Sequence, residues 1–233
     1  MEISLRSIDF SHFTDSERAI FNVLRVTLQY PANPQVKGAK LADDISFFLL
    51  IRSLDNLRQR DDLISDHGQP WKELPNLSFS AREQWSDPTV TGEGLSEEFA
   101  KWKNLNSFVA RLTSTGFAPW LHLPIWQLRT ALEEPPVEGS AMECRLWVAS
   151  EWIIYCADPI FKYMTPNEEL DEGTARALRT GTLCDGKSPL GVERWGFWKK
   201  RFSKFAADAS GLKLDSAITG RISNALNIMD AVE

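Results

Sequence analysis

What the chain lacks removes most of the usual functional classes. The amino terminus, M-E-I-S-L-R-S-I-D-F, has no basic region followed by an apolar run, so no signal peptide is expected. No 18-residue window is free of charge, which argues against a spanning helix and any membrane partner. There are three cysteines, Cys144, Cys156 and Cys184, which form neither a C-x-x-C pair nor an even disulfide framework and are expected as reduced core residues. The three histidines, His12, His67 and His122, are isolated, which excludes a His-rich metal centre and leaves a Ser-His-Asp triad only these bases. G-x-S-x-G, G-x-G-x-x-G and P-loop patterns are absent. An excess of positive charge is also lacking, with 26 Lys and Arg against 32 Asp and Glu, so nucleic acid is not an expected partner. The one basic cluster, Lys199, Lys200, Arg201 and Lys204, reads as a solvated helix face. A cytoplasmic protein without cofactor or metal is the expectation.

What is present is apolar bulk at helical spacing. Hydrophobic residues make up 43% of the chain and charged residues 25%, the balance of a globular protein that can bury a proper core. Nine tryptophans supply large rigid surfaces, suited to a packed helical core or to the wall of an apolar pocket. No period-2 strand run, internal repeat or low-complexity tract is visible. The fold expected is all-α: a single domain over residues 1–233, an irregular bundle of about seven to nine helices with two long loops.

In chain order, Thr14 and Glu17 have capping-box spacing behind Phe13 and start a helix that runs to about Gln29. Further helices are predicted over 37–53 and 55–74. The stretch from Pro75 to Gly94 reads as a long loop anchored by Trp85. Ser96, with Glu97 and Glu98 in the first turn, opens a central helix that Gly116 stops. Its stripe is Phe99, Trp102, Leu105, Val109 and Leu112, with Asn106 among them; Asn104, Ser107 and Arg111 are expected on the opposite side. A helix follows over 120–133, then one over 141–156 that is apolar nearly all round and belongs in the middle of the bundle. After a second irregular region, 164–190, with a short helix through Arg176, V-E-R-W-G-F-W-K-K-R-F-S-K-F gives an amphipathic helix. Its stripe is Val192, Trp195, Trp198, Phe202 and Phe205, with Arg194 at the border and Lys199 within. A helix over 214–229 ends the pattern.

Asp43-Asp44 and Asp61-Asp62 invite comparison with an aspartate-rich magnesium motif, because paired carboxylates suit hard divalent ions. The acid expected four residues on is missing and no second motif follows, so no metal site is assigned. What remains is polar groups on apolar helix faces: Asn106, Arg145, Glu151 and Lys199. A buried charge needs a partner, so either these pair internally or they converge on a pocket that orients a small ligand. His122 could be a general base or a satisfied core histidine.

W-K-N-L-N-S-F-V-A-R-L, W-V-A-S-E-W-I-I-Y and R-W-G-F-W-K-K-R-F together resemble a family of fungal helical proteins known as a domain of unknown function. The shared patterns are W-x-N-L-N-x-F-x-A-R-L, a helix ending near W-I-I-Y, and R-W-x-x-W-K-x-R-F. The resemblance covers residues from about Lys37 to Phe205 and is carried by Trp102, Asn104, Asn106, Phe108, Arg111, Arg194, Trp195, Trp198 and Arg201. It implies a fungal, ascomycete, cytosolic protein and brings no catalytic residues with it. Helical proteins of such genomes near specialised-metabolite pathways suggest a cofactor-free cyclase or pericyclase, of the Diels-Alderase kind, acting on an apolar terpenoid or polyketide. In that case Asn106, Arg145, Glu151 and Lys199 would polarise or move protons. Trp120, His122, Trp126, Trp147, Trp152, Arg194, Trp195 and Trp198 would line the substrate. The alternative is a protein-interaction or regulatory helical protein without chemistry; the chain is expected as a monomer or homodimer.

Overall fold

The computed structural model describes residues 81–90, 95–117, 120–165 and 170–233. The chain divides into two compact units, Met1–Ser78 and Phe79–Glu233, and every described residue belongs to the second. The helices predicted before residue 75, both aspartate pairs, His12 and His67 lie outside the described residues. Those described are helical, with no strand among them, as the all-α reading expects.

The elements are α1 (Ser96–Ser114), α2 (His122–Leu128) running into a π-helical segment (Arg129–Glu133), and α3 (Gly139–Met164). Then come α4 (Glu172–Ala177), a 3-10 turn (Thr182–Cys184), α5 (Val192–Ala207) and α6 (Ser216–Ala231). Helix α1 starts where its charge pattern predicts: the Glu98 carboxylate accepts the Leu95 N–H at 2.9 Å, and acidic Glu97 and Glu98 sit at the positive end of the helix dipole. It stops at Gly116, whose φ of +76° closes the helix in the left-handed region.

Helix α3 is the axis. It packs against α1 and α6 and more lightly against α2, the π segment and α5. Three bonds give the α1–α3 register: Ser107 to Glu151, Trp152 to Asn106, and Cys156 to Ala110. The Ser107–Glu151 and Asn106–Trp152 bonds lie at one level and the Ala110–Cys156 bond about one turn further along both helices, so α1 and α3 run parallel. The connection between them must therefore return along the bundle, which is the work of α2 and the π segment. Asp215 bonded to Glu143 and Arg221 paired with Glu151 show the same parallel sense for α6 against α3.

The pattern predicts a helix over 141–156, yet α3 continues to Met164. The reason is Pro159, which lacks an N–H and crowds the carbonyl four residues back. Instead of ending there, the helix yields at Cys156 (φ −123°, ψ 16°) and resumes. The buried side chains of α3 include Cys144, Leu146, Val148, Ser150, Trp152, Ile153 and Cys156, the nearly all-round burial that its composition predicts.

Ser107, Arg111 and Val192 differ from their expected placements; Arg111 lies over the Tyr155 ring of α3 at 5.2 Å rather than away from it. Ser107 turns towards α3 and donates to Glu151 at 2.6 Å, because a hydroxyl one residue off the apolar stripe still reaches a neighbour that crosses close by. Val192 is 54% exposed, since it occupies the first position of α5, where the stripe has not yet met its neighbours.

The α5–α6 connection closes with a Schellman turn. Leu214 N–H bonds the Ala209 carbonyl at 2.9 Å and Lys213 N–H bonds the Ser210 carbonyl at 3.2 Å. The left-handed position, normally glycine, is Lys213 at φ 53°.

Replacing Gly116 by Ala isolates the left-handed cost, because an added Cβ there meets no atom within 4 Å. A loss of about 1 to 2 kcal/mol is expected in denaturant unfolding at unchanged m-value.

Candidate functional site

The first concentration of buried charge is built by the π segment. Its wider turn shifts the phase of the chain and points Glu133 into the interior, and Pro135 and Pro136 follow before α3 begins. Both members of the Glu133–Arg194 pair have fully buried side chains. Glu133 Oε1 accepts from Arg194 Nε and from Trp198 Nε1, each at 2.6 Å; Oε2 accepts from the Gly181 amide at 2.6 Å and from Arg194 Nη2 at 3.1 Å. The rest of the guanidinium goes to carbonyls: Nη1 to Leu178 (2.7 Å) and Pro189 (2.5 Å), Nη2 to Arg179 (3.3 Å). All five guanidinium protons are thus engaged. The pair ties α5 to the π segment and fastens the irregular stretch between α4 and α5 at four points.

Around this pair, Trp126 Nε1 donates to the Ala177 carbonyl (2.9 Å), Arg129 to the Arg179 carbonyl (3.1 Å) and Arg201 Nε to the Leu132 carbonyl (2.9 Å). Gly181 is required by space. A Cβ there would lie 2.8 Å from the Glu133 backbone oxygen and 2.8 Å from Glu133 Cβ, neither of which can move without breaking the site.

The second concentration lies between α1, α3 and α6. Glu151 accepts from Ser107 and pairs with Arg221, whose guanidinium stands 4.3 Å from the Trp147 ring centre; Lys103 approaches the same ring at 5.9 Å. Deeper in, Asn106 is wholly buried as its position predicts. Its Nδ2 donates to the Trp102 carbonyl (3.0 Å) and its Oδ1 accepts from Trp152 Nε1 (2.9 Å), so both ends of the amide are used.

The remaining candidates stand apart. Arg145 fixes the preceding loop, with Nε to Thr89 Oγ1 (2.9 Å), Nη2 to the Thr89 carbonyl (3.0 Å) and Nη1 to the Thr130 carbonyl (3.4 Å); Asp87 holds Thr89 from the other side at 2.7 Å. Trp85 of that loop packs edge-on to Trp102, the anchoring role expected of it. Lys199 lies at the edge of its stripe and pairs with Asp230 (2.7 Å) and Glu233 (2.6 Å); the Asp230 bond, then the Glu233 bond, raise its pKa.

Of the proposed substrate wall, Trp152, Trp195 and Trp198 are buried, while Trp120, Trp126 and Trp147 are half-buried. Trp195 and Trp198 belong to the Glu133 surroundings, Trp152 to Asn106, Trp147 to Arg221, and Trp126 to α4. Arg194, expected at the border of its stripe, lies inside it with its protons committed. His122 is exposed at the first position of α2, edge-on to Trp126 at 5.0 Å. Desolvation and then the Arg82 charge lower its pKa. Burial pushes the Cys144 thiol up to about 12 and Cys184 to about 11, which keeps both as inert packing groups. Among the described residues no cluster of His, Cys, Asp and Glu could hold a metal ion.

Glu133 escaped the sequence reading. Its signal was an acid at the end of an apolar segment, opposite an arginine on another apolar stripe. No α-helical wheel shows it, because the π turn breaks the period.

Fold and site together define an all-α protein braced by buried ion pairs, with no helix among the described residues long and apolar enough to cross a membrane. The family described as Protein of unknown function (DUF3632) matches residues 39–202, and the chain belongs to it. No curated protein and no solved structure matches the chain.

Changing Glu133 to Ala leaves a buried guanidinium without its partner and should lower stability by about 3 to 5 kcal/mol in denaturant unfolding. Gly181→Ala should cost about 1 to 3 kcal/mol through the same site by overpacking. A second expectation concerns pH. Because the folded protein lowers the His122 pKa, the unfolded chain binds more protons as pH falls through about 6.5, so stability declines in that direction. Thermal melts between pH 8 and pH 5 should show this slope, and His122→Gln should flatten it.

Proposed function

We propose that this member of the family works by binding rather than by catalysis, with its buried polar groups holding helices in register. The observation that carries this reading is that all four groups nominated for polarisation or proton transfer are bonded within the fold. Asn106 is used at both ends, Arg145 holds Thr89, Glu151 is shared by Ser107 and Arg221, and Lys199 is held by two carboxylates. A catalytic polar group needs a free face towards its substrate, and groups kept for chemistry commonly cost stability.

This favours the interaction or regulatory reading over a cofactor-free cyclase or pericyclase. It remains compatible with a small apolar ligand that is held but not transformed. A fungal source and a cytoplasmic location belong to the same proposal and follow from the sequence resemblance.

The sign of stability changes separates the two classes. Asn106→Leu, Arg145→Met and Glu151→Gln should each lower the melting temperature, Glu151→Gln most, because Arg221 then lacks its buried counter-charge. A rise in melting temperature at Asn106 or Glu151 would mark strain held for function and overturn the binding reading in favour of the enzyme.

A further inference from the structure

Helix α6 differs from α5 in how it is secured. Around Glu133 and Arg194 the donors are saturated, and Trp195 Nε1 is the one buried side-chain polar atom of α5 left without a partner. Helix α6 is held at its two ends and at one point between: Asp215 N–H on Glu143 at 2.8 Å, Arg221 on Glu151, and Lys199 on Asp230 and Glu233. Along this helix it buries polar atoms that find no partner, Arg221 Nε and, one turn along, Asn224 Nδ2. Each such atom forfeits its hydration without a replacement, so the α3–α6 contact is worth less than its apolar area implies.

The link to α5 carries a second, independent cost. Lys213 takes the left-handed position of the Schellman turn at φ 53°, where a side chain is strained and glycine is not. That strain disappears once the turn opens.

We infer that α6 is a reversible clasp, which leaves α3 and α5 as a unit by unwinding at Lys213 while the rest of the bundle stays folded. Opening wets Arg221 Nε and Asn224 Nδ2 and relaxes Lys213. It opposes the burial of Ile218, Ile222, Ala225, Ile228 and Met229 and breaks the ion pairs. What it uncovers on α3 is the face of Glu143, Trp147 and Glu151, with the Glu151 carboxylate released from Arg221. The half-buried Trp147 indole loses its stacked cation and reports the change.

Residue-resolved native-state hydrogen exchange of the full chain tests this. Amides across 218–229 should share one opening and exchange faster than those across 142–154 of α3. Lys213→Gly, which relieves the strain of the closed state, should slow the α6 amides by roughly fivefold, and by the same factor any α3 amide that exchanges through global unfolding, without closing the gap between the two helices. Asn224→Leu should slow the same amides, since it deletes a buried unpartnered group. If α6 exchanges no faster than α3, the helix leaves only on global unfolding and the clasp is overturned. Fast exchange of α6 that neither variant slows would overturn it as well.

Discussion

A carboxylate and a guanidinium buried beyond the reach of water must answer each other completely, and the Glu133–Arg194 pair does so. Desolvating two charges is offset only when geometry is good and every remaining donor and acceptor is matched. Here the matching draws in a tryptophan, a backbone amide and three backbone carbonyls. The irregular stretch between α4 and α5 has little secondary structure of its own, yet its path is set because its carbonyls are what the guanidinium requires. Helix α5, the π segment and that stretch are in this sense one object.

The second polar assembly follows the same rule with a different result. Glu151 sits where three helices meet and is shared by a hydroxyl from α1 and a guanidinium from α6, so it sets the register of both against α3. Asn106 does the same work with neutral groups, linking a carbonyl of its own helix to the indole of the next. Apolar stripes alone tolerate sliding by a turn; a buried amide with one matching indole does not.

How much of this was legible depended on range. The burial of Asn106 could be read because it follows from the 3.6-residue period within one helix, and so could the start of α1 at Ser96 and its stop at Gly116. The partners could not be read, because which carboxylate meets which cation is decided between helices. Arg194 was visible as a charge beside a stripe, but its partner Glu133 was hidden by the π turn. The length of α3 was misjudged because helix-breaking chemistry at Pro159 was absorbed by one distorted residue, Cys156. Lys199 looked internal by phase alone; its long stem lets the ammonium leave the stripe for two acids near the end of α6.

The π segment has a bearing on how the family could change its length. A π turn is an α-helix holding one residue more than its pitch allows, and deleting a residue there would restore ordinary helical geometry and remove a local distortion. Because the wide turn absorbs that extra residue, the flanking turns would keep nearly their present phase, and the change would fall on the segment itself, which would lose the turn that carries Glu133 inward. The Glu133 carboxylate would then be drawn away from Arg194 and Trp198, which depend on it. A deletion that relieves the backbone locally would thus be opposed by the buried pair that the wide turn serves.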